Sequence, residues 1–168
     1  MTKRAVATGV VITVLLVLGS LVAYRFLTGD EVGTREAIGI QVKKNIRAAF
    51  DVRTAETEDR TSAALLSLAK LADTYDRAGI AESERHIHAV FHEDAARFLL
   101  ASDAEEEDPN AALVADLIDR GVHVELDART LDARGWDEGD VLPDVELVVA
   151  AHPRLIDLQL SGYSYVRY

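Results

Sequence analysis

The sequence contains no cysteine, and this absence excludes several kinds of chemistry. Without thiols the chain cannot form a disulfide, a thiolate nucleophile, a cysteine-ligated zinc site or an iron–sulfur cluster. Basic residues are also scarce, because residues 28–168 hold 15 of them against 29 acidic residues. Since nucleic-acid binding requires a basic surface, this charge balance argues against nucleic acid as a partner.

A long apolar run lies near the N-terminus. Residues 5–24 carry no charge, and as a helix they would span roughly 30 Å, the thickness of a bilayer core. Lys3 and Arg4 precede the run, so the positive-inside rule predicts a single-pass inner-membrane protein with its bulk in the periplasm. The run is longer than a signal-peptide core, and Leu21 disrupts a small-x-small cleavage site. These features favour a retained anchor over a cleaved signal or a buried helix.

The chain divides into three predicted parts: an anchor over 1–27, a linker or juxtamembrane segment over 28–44 and a domain over 45–168. Apolar residues alternate in some segments and recur at helical spacing in others. These patterns predict strands at 46–52, 85–91, 122–126, 145–150 and 163–168, and helices at 36–44, 61–78, 94–101, 110–120, 130–134 and 152–161. Alternating strands and helices predict a three-layer α/β/α fold with a mostly parallel sheet.

Several segments of the domain resemble the DsrE/DsrF-like family of small sulfur-relay proteins. They read DPNAALVADLIDRGVHVEL at 108–126, TLDARGWDEGDVLPDVELVVAA at 130–151 and LIDLQLSGYSYV at 155–166. The resemblance implies a flavodoxin-like fold and assembly as a trimer, a hexamer or a hetero-oligomer with a DsrE-like homologue. It also implies a site at the end of the third strand, where many members carry a cysteine that accepts sulfur as a persulfide.

The chain departs from this family pattern at two positions. Asp127 stands where the cysteine is expected, and a carboxylate cannot form a persulfide. In the loop after the second strand, where members often have His-Gly, this chain has His92 followed by Glu93. Glycine would allow a ligand to approach the backbone closely, and a glutamate closes that option. The chain is therefore predicted to have lost thiol chemistry.

Four polar residues form the candidate ligand-binding set. His92 and Asp127 follow neighbouring strands, and they are the candidate catalytic pair because an Asp–His pair can serve as a general base or as metal ligands. Asn110 and His152 complete the set as candidate neighbours. The alternative interpretation is that Asp127 caps the helical turn that follows it, beside an exposed His92.

A histidine pair on the second strand is a candidate metal-binding site. His86 and His88 lie on one strand face, and with His92 and Glu93 they could be drawn as a zinc or copper site. A polar strand face or an interface is the preferred interpretation, and neither a metal nor another cofactor is predicted.

The aromatic residues near the C-terminus permit two interpretations. Tyr163, Tyr165 and Tyr168 either line a pocket or pack on a terminal strand, and packing is preferred. Trp136 either anchors a subunit contact or covers the core.

Three functional hypotheses follow from these observations. The preferred one is a membrane-anchored DsrE-like domain without the persulfide cysteine, which acts as a binding or assembly module linked to sulfur or redox metabolism. The second is an Asp/His-dependent or metal-dependent enzyme that uses His92 and Asp127. The third is a subunit of a sulfur relay whose cysteine lies on a partner.

Overall fold

Five strands pair in parallel to form the central sheet of the domain. A computed structural model describes residues 37–101 and 108–168. The sheet has the strand order β4-β3-β2-β1-β5. The strands are β1 (Ile46–Val52), β2 (Arg85–Phe91), β3 (Val122–Asp127), β4 (Glu146–Val148) and β5 (Ser164–Arg167). Parallel pairing follows from the helical crossovers that join successive strands.

Within the described residues four α-helices connect these strands, and side chains fix where three of them begin. The helices are α1 (Ala63–Arg77), α2 (Pro109–Asp119), α3 (Ala128–Arg134) and α4 (Ala151–Leu160). Ser62, Asp108 and Asp127 each accept a hydrogen bond from a backbone N–H in the first turn of α1, α2 and α3 respectively. These bonds satisfy donors that a helix start would otherwise leave without a partner.

The sheet buries apolar side chains on both faces, because successive residues of a strand point to opposite sides. On one face, α1 and α2 pack against strand residues such as Phe50, Phe91 and Leu126 to form the larger core. On the other face, α4 packs against Ala49 and Val90 in a smaller core. Helices therefore cover both faces of the sheet, as predicted.

A buried polar network joins α4 to this second face. Glu125 on β3 has no exposed surface and accepts hydrogen bonds from Arg154 of α4 at 2.8 and 2.7 Å. His88 on β2 is also within hydrogen-bond distance of Glu125. Burial raises the pKa of Glu125, but the hydrogen bonds and charges of Arg154 and His88 outweigh burial and lower the pKa to about 2. Glu125 is therefore held as a carboxylate inside the protein.

The structure confirms the predicted α/β fold with its mostly parallel sheet, and it corrects several elements. No helix lies in the described part of 36–44, the helix predicted at 94–101 is a 3-10 helix at Glu93–Leu99, and the strand predicted at 145–150 covers only Glu146–Val148. A short hairpin of Thr57–Glu58 and Thr61–Ser62 was not predicted. The hairpin turn contains Asp59 and Arg60 at positive φ without the glycine or asparagine that normally marks such a turn.

The predicted membrane anchor at 1–27 lies outside the described residues. Within 37–101 and 108–168, no helix combines the length and the apolar character that crossing a membrane requires.

Candidate functional site

An open cleft of about 600 Å³ lies at the carboxyl end of the sheet. Its walls come from the segment after β2, from α3 and from the start of α4, and His92, Asp127 and His152 all line it. The carboxyl ends of parallel strands are where open α/β sheets bind ligands. The fold thus brings three of the four candidate ligand-binding residues to one place.

His92 is buried at the inner end of this cleft, with 2% of its surface exposed. Its Nε2 lies 2.6 Å from Oδ1 of Asp51, the sixth residue of β1. The His92 and His152 rings pack in a T-shaped arrangement, with 5.5 Å between ring centroids. The structure therefore contains an Asp–His pair, but the aspartate is Asp51 rather than Asp127. The alternative that described His92 as exposed is also wrong.

Asp51 is buried with two hydrogen-bond donors aimed at its two carboxylate oxygens. His92 contacts Oδ1, and the Tyr165 hydroxyl of β5 donates to Oδ2. Burial raises the pKa of Asp51, but these hydrogen bonds outweigh burial and hold the pKa below its usual value. Asp51 is therefore ionised and acts only as an acceptor, so His92 must carry a proton on Nε2 to donate to it.

Glu93 adopts a backbone conformation that normally belongs to glycine, with φ at 52°. Its N–H donates to the Thr130 hydroxyl at 3.2 Å, and its carboxylate pairs with Arg53 at 2.8 Å. These contacts hold the residue in a left-handed conformation that costs about 1–2 kcal/mol for a side chain with a Cβ. The backbone at Glu93 therefore has a conformation that glycine would adopt without this steric cost.

Asp127 caps α3, as the alternative interpretation predicts. Its Oδ1 accepts the Arg129 N–H at 3.0 Å, and its Oδ2 accepts the Thr130 hydroxyl at 3.0 Å. The Thr130 oxygen in turn accepts from Glu93, so one short chain of hydrogen bonds links β3, α3 and the segment after β2. Each carboxylate oxygen of Asp127 therefore accepts a hydrogen bond that stabilises the start of α3.

Asn110 lies apart from the cleft and joins the starts of α1 and α2. Its Oδ1 accepts the Ser62 N–H at 2.8 Å, and its Nδ2 donates to Arg60 and Asp108. The residues that line the cleft do not include it.

The remaining candidates contact the sheet and the core. His88 pairs with Glu125, and Tyr163 packs edge-on against it with ring centroids 5.1 Å apart. Tyr168 packs against Phe50, and Trp136 packs against the larger core. Across the described segments, no group of three or more His, Cys, Asp or Glu side chains is placed to hold a metal ion.

Asp51, whose carboxylate lies 2.6 Å from His92, is a site residue that was not predicted from the sequence. The signal was available, since Asp51 is the one acidic residue in the strand sequence IRAAFDV and follows four residues of which three are apolar and buried. The hydrogen-bond partners of Asp51 could not be predicted, because they depend on which strands lie beside β1. Tyr165 was considered only with the other tyrosines, yet it reaches Asp51 because β5 pairs with β1.

Comparisons with known proteins identify relatives of the domain. A model of the DsrE/DsrF-like family matches residues 47–168. Among solved structures, the protein of unknown function MTH1491 from Methanobacterium thermoautotrophicum matches with 24% identity and a TM-score of 0.55. The ychN protein from E. coli matches with 15% identity and the same TM-score. Each match covers 73% of this chain and 99% of the other. The comparison with curated proteins finds no match.

Proposed function

Because the chain belongs to the DsrE/DsrF-like family, we propose that it is a binding module whose binding site is the strand-end cleft. The family is generally related to sulfur relay, and this chain has no cysteine that could carry sulfur. A binding role linked to sulfur or redox metabolism, without a thiol of its own, is consistent with both facts.

The hydrogen bonds of Asp127 are the observation that supports this proposal most directly. By resemblance it occupies the position of the family's cysteine, and each of its carboxylate oxygens already accepts a hydrogen bond within the protein. A carboxylate in that state stabilises the wall of the cleft and is poorly placed to act as a base. The cleft beside it remains open and large enough for a small ligand or for a side chain of a partner.

A substitution that fills the cleft tests the proposal. Ala133 lines the cleft on α3, whereas Ala112 is exposed on α2 and lies outside it. The full chain, carrying Ala133→Trp, Ala112→Trp or neither, is isolated gently from its native cells and examined by native mass spectrometry. Species bound to the wild type and to the Ala112 variant should be absent from the Ala133 variant. Equal retention by all three proteins, or no bound species on any of them, would contradict the proposal.

An Asp/His-dependent enzyme is the second candidate, and the buried contact between His92 and Asp51 favours it. An aspartate that orients a histidine is a common arrangement for a general base. In that case the wild type should convert the bound species during incubation, and the His92→Gln variant should not. Asp127→Asn should leave conversion intact, because asparagine also caps a helix. A bound species that stays unchanged with the wild type supports the binding module instead.

If the protein is a subunit of a sulfur relay, the cysteine that carries the sulfur would lie on a partner. The family resemblance suggests a trimer, a hexamer or a hetero-oligomer with a DsrE-like homologue as the assembly. Native mass spectrometry of the same preparation gives the stoichiometry directly. A cysteine-bearing homologue in the assembly supports the relay, and a pure homo-oligomer argues against it.

We further propose that residues 5–24 anchor the chain in the inner membrane with the domain in the periplasm. The uncharged length of this run and the basic residues before it support this orientation. A compartment-sensitive reporter fused after Tyr168 should report the periplasm. A cytoplasmic signal would reverse the orientation and bring cytoplasmic partners into consideration.

A further inference from the structure

The acidic side chains of the cleft are all engaged by partners within the protein. Glu93 pairs with Arg53 at 2.8 Å, and Asp94 pairs with Arg134. Asp127 accepts two hydrogen bonds, as described above. Two of the three acidic side chains of the cleft are therefore paired with arginines and the third is hydrogen-bonded, although the chain as a whole carries a formal charge of −11.

Hydrogen-bond donors, in contrast, remain available to a ligand. Arg129 lines the cleft, and among the described residues no carboxylate forms an ion pair with it. The exposed side chain of His152 lines the same cleft. The same wall includes the first turn of α4, where Ala150 provides no side-chain cap and the backbone N–H groups of Ala151 and His152 carry partial positive charge, although Pro153 has no N–H to donate. These groups favour an anion.

His92 adds an acceptor to this set of donors. Its Nε2 donates to the ionised Asp51, which leaves Nδ1 as the second ring nitrogen. The nearest carboxylate oxygen to Nδ1 is that of Glu93, at 3.8 Å, which is too far for a hydrogen bond. In the neutral ring Nδ1 carries a lone pair, so this almost fully buried side chain offers an acceptor to the cleft.

We infer that the cleft binds a small oxyanion that carries a hydroxyl group, such as hydrogen phosphate. The charged oxygens of the anion contact Arg129 and the start of α4, and its hydroxyl donates to Nδ1 of His92. This inference rests on the proposed function and specifies the chemical class of the ligand. The overall negative charge of the chain disfavours long polyanions, which leaves small ones.

The affinities for phosphate and sulfate distinguish this inference from simple charge attraction. At neutral pH both are tetrahedral oxyanions of similar size, but only phosphate retains a hydroxyl proton. Isothermal titration of the full chain at pH 7.5 and constant ionic strength should give a saturable 1:1 site for inorganic phosphate. Its Kd should be at least tenfold lower than that for sulfate, because a buried acceptor rejects a ligand that lacks the donor.

Three variants assign the contacts. Arg129→Gln should weaken phosphate and sulfate binding alike by at least tenfold, whereas Arg77→Gln removes an equal charge on the exposed side of α1 and should change neither. In Asp51→Asn, Tyr165 still donates to the side-chain oxygen, so the amide nitrogen faces His92 and donates to Nε2. Nδ1 then carries the proton, and the preference for phosphate over sulfate should fall to threefold or less.

The outcomes distinguish this inference from the proposed function. Equal affinities for phosphate and sulfate in the wild type overturn the inference, as does equal weakening by Arg129→Gln and Arg77→Gln. If neither anion binds while Ala133→Trp still abolishes the co-isolated species, the inference is overturned and the cleft is a binding site for another class of ligand. If Asp51→Asn fails to fold, the wild-type ratio and the two arginine variants decide the question.

Discussion

Asp127 is, at the residue scale, a structural residue at the wall of the cleft. Both carboxylate oxygens hold the start of α3. Replacing Asp127 with alanine should lower the free energy of unfolding by about 1–2 kcal/mol, because the cap is lost. An asparagine at this position would retain an oxygen for the Arg129 N–H, so Asp127→Asn should cost less. Urea unfolding of the three proteins measures the difference. A cost for asparagine as large as that for alanine would show that the charge matters rather than the cap.

Glu93 offers a second residue-scale test, of backbone strain beside the cleft. Glu93→Gly and Glu93→Ala both remove the ion pair with Arg53, so their comparison isolates the effect of φ at 52°. The glycine variant should be more stable than the alanine variant by about 1 kcal/mol, because glycine adopts this conformation without a steric cost. Thermal unfolding measures the order, and an alanine variant that is equal or more stable would contradict the assignment of strain.

The residues of the site were predictable from sequence only in part. Asp127 and His92 could be placed at strand ends because strand positions follow from alternation of apolar residues. The choice of partner could not be predicted, since His92 contacts Asp51 across neighbouring strands 41 positions apart in the chain. Asn110 was assigned to the wrong region for the same reason, because its contact with Ser62 depends on how α1 and α2 pack.

At the scale of elements, the contact of α4 with the sheet depends on a buried charge. Glu125→Gln removes the carboxylate that Arg154 and His88 share, and leaves the Arg154 charge without its partner. The variant should lose about 1.5–3 kcal/mol of stability, because hydrogen bonds to a buried charged group are lost while the partly exposed Arg154 remains hydrated. Glu146→Gln provides the control, since Glu146 pairs with His123 at an exposed position and should cost under about 1 kcal/mol. Chemical denaturation measures both, and similar losses would contradict the buried-network account.

Element boundaries were predictable where periodicity is strong and less so at the edge of the sheet. The strands Ile46–Val52 and Arg85–Phe91 were predicted at their observed bounds, because they are central and apolar. The segment 145–150 has the composition of a strand, but as an edge strand it pairs only with β3, over three residues. Val149 is 87% exposed and the chain then turns into α4, which composition alone does not reveal.

For the whole molecule, two buried carboxylates should set the response to acid. Asp51 and Glu125 have lowered pKa values in the folded protein, so the unfolded chain binds more protons as pH falls. Their contribution is fully present above pH 4.5 and is lost as pH falls toward about 2, the folded pKa of Glu125. The free energy of unfolding should decline over this range, and Glu125→Gln should make the decline shallower. Denaturation across pH 2–6 measures both curves, and parallel curves would contradict the assignment.

The architecture of the whole domain was more predictable than its site. Alternating strands and helices imply parallel pairing, whereas the position of β5 beside β1 is a tertiary choice that local pattern does not encode. That choice brings Tyr165 to Asp51 and so completes the contacts around His92.

Hydrogen exchange of the full chain tests most directly the claim that the strand-end cleft is the binding site. The protein is measured by mass spectrometry as isolated from its native cells and again after exhaustive dialysis. Bound ligand should slow exchange at 127–134 and at 150–152 before dialysis, while α1 at 63–77 exchanges equally in both samples. Equal exchange at the cleft in the two samples, or protection confined to α1, would contradict the account.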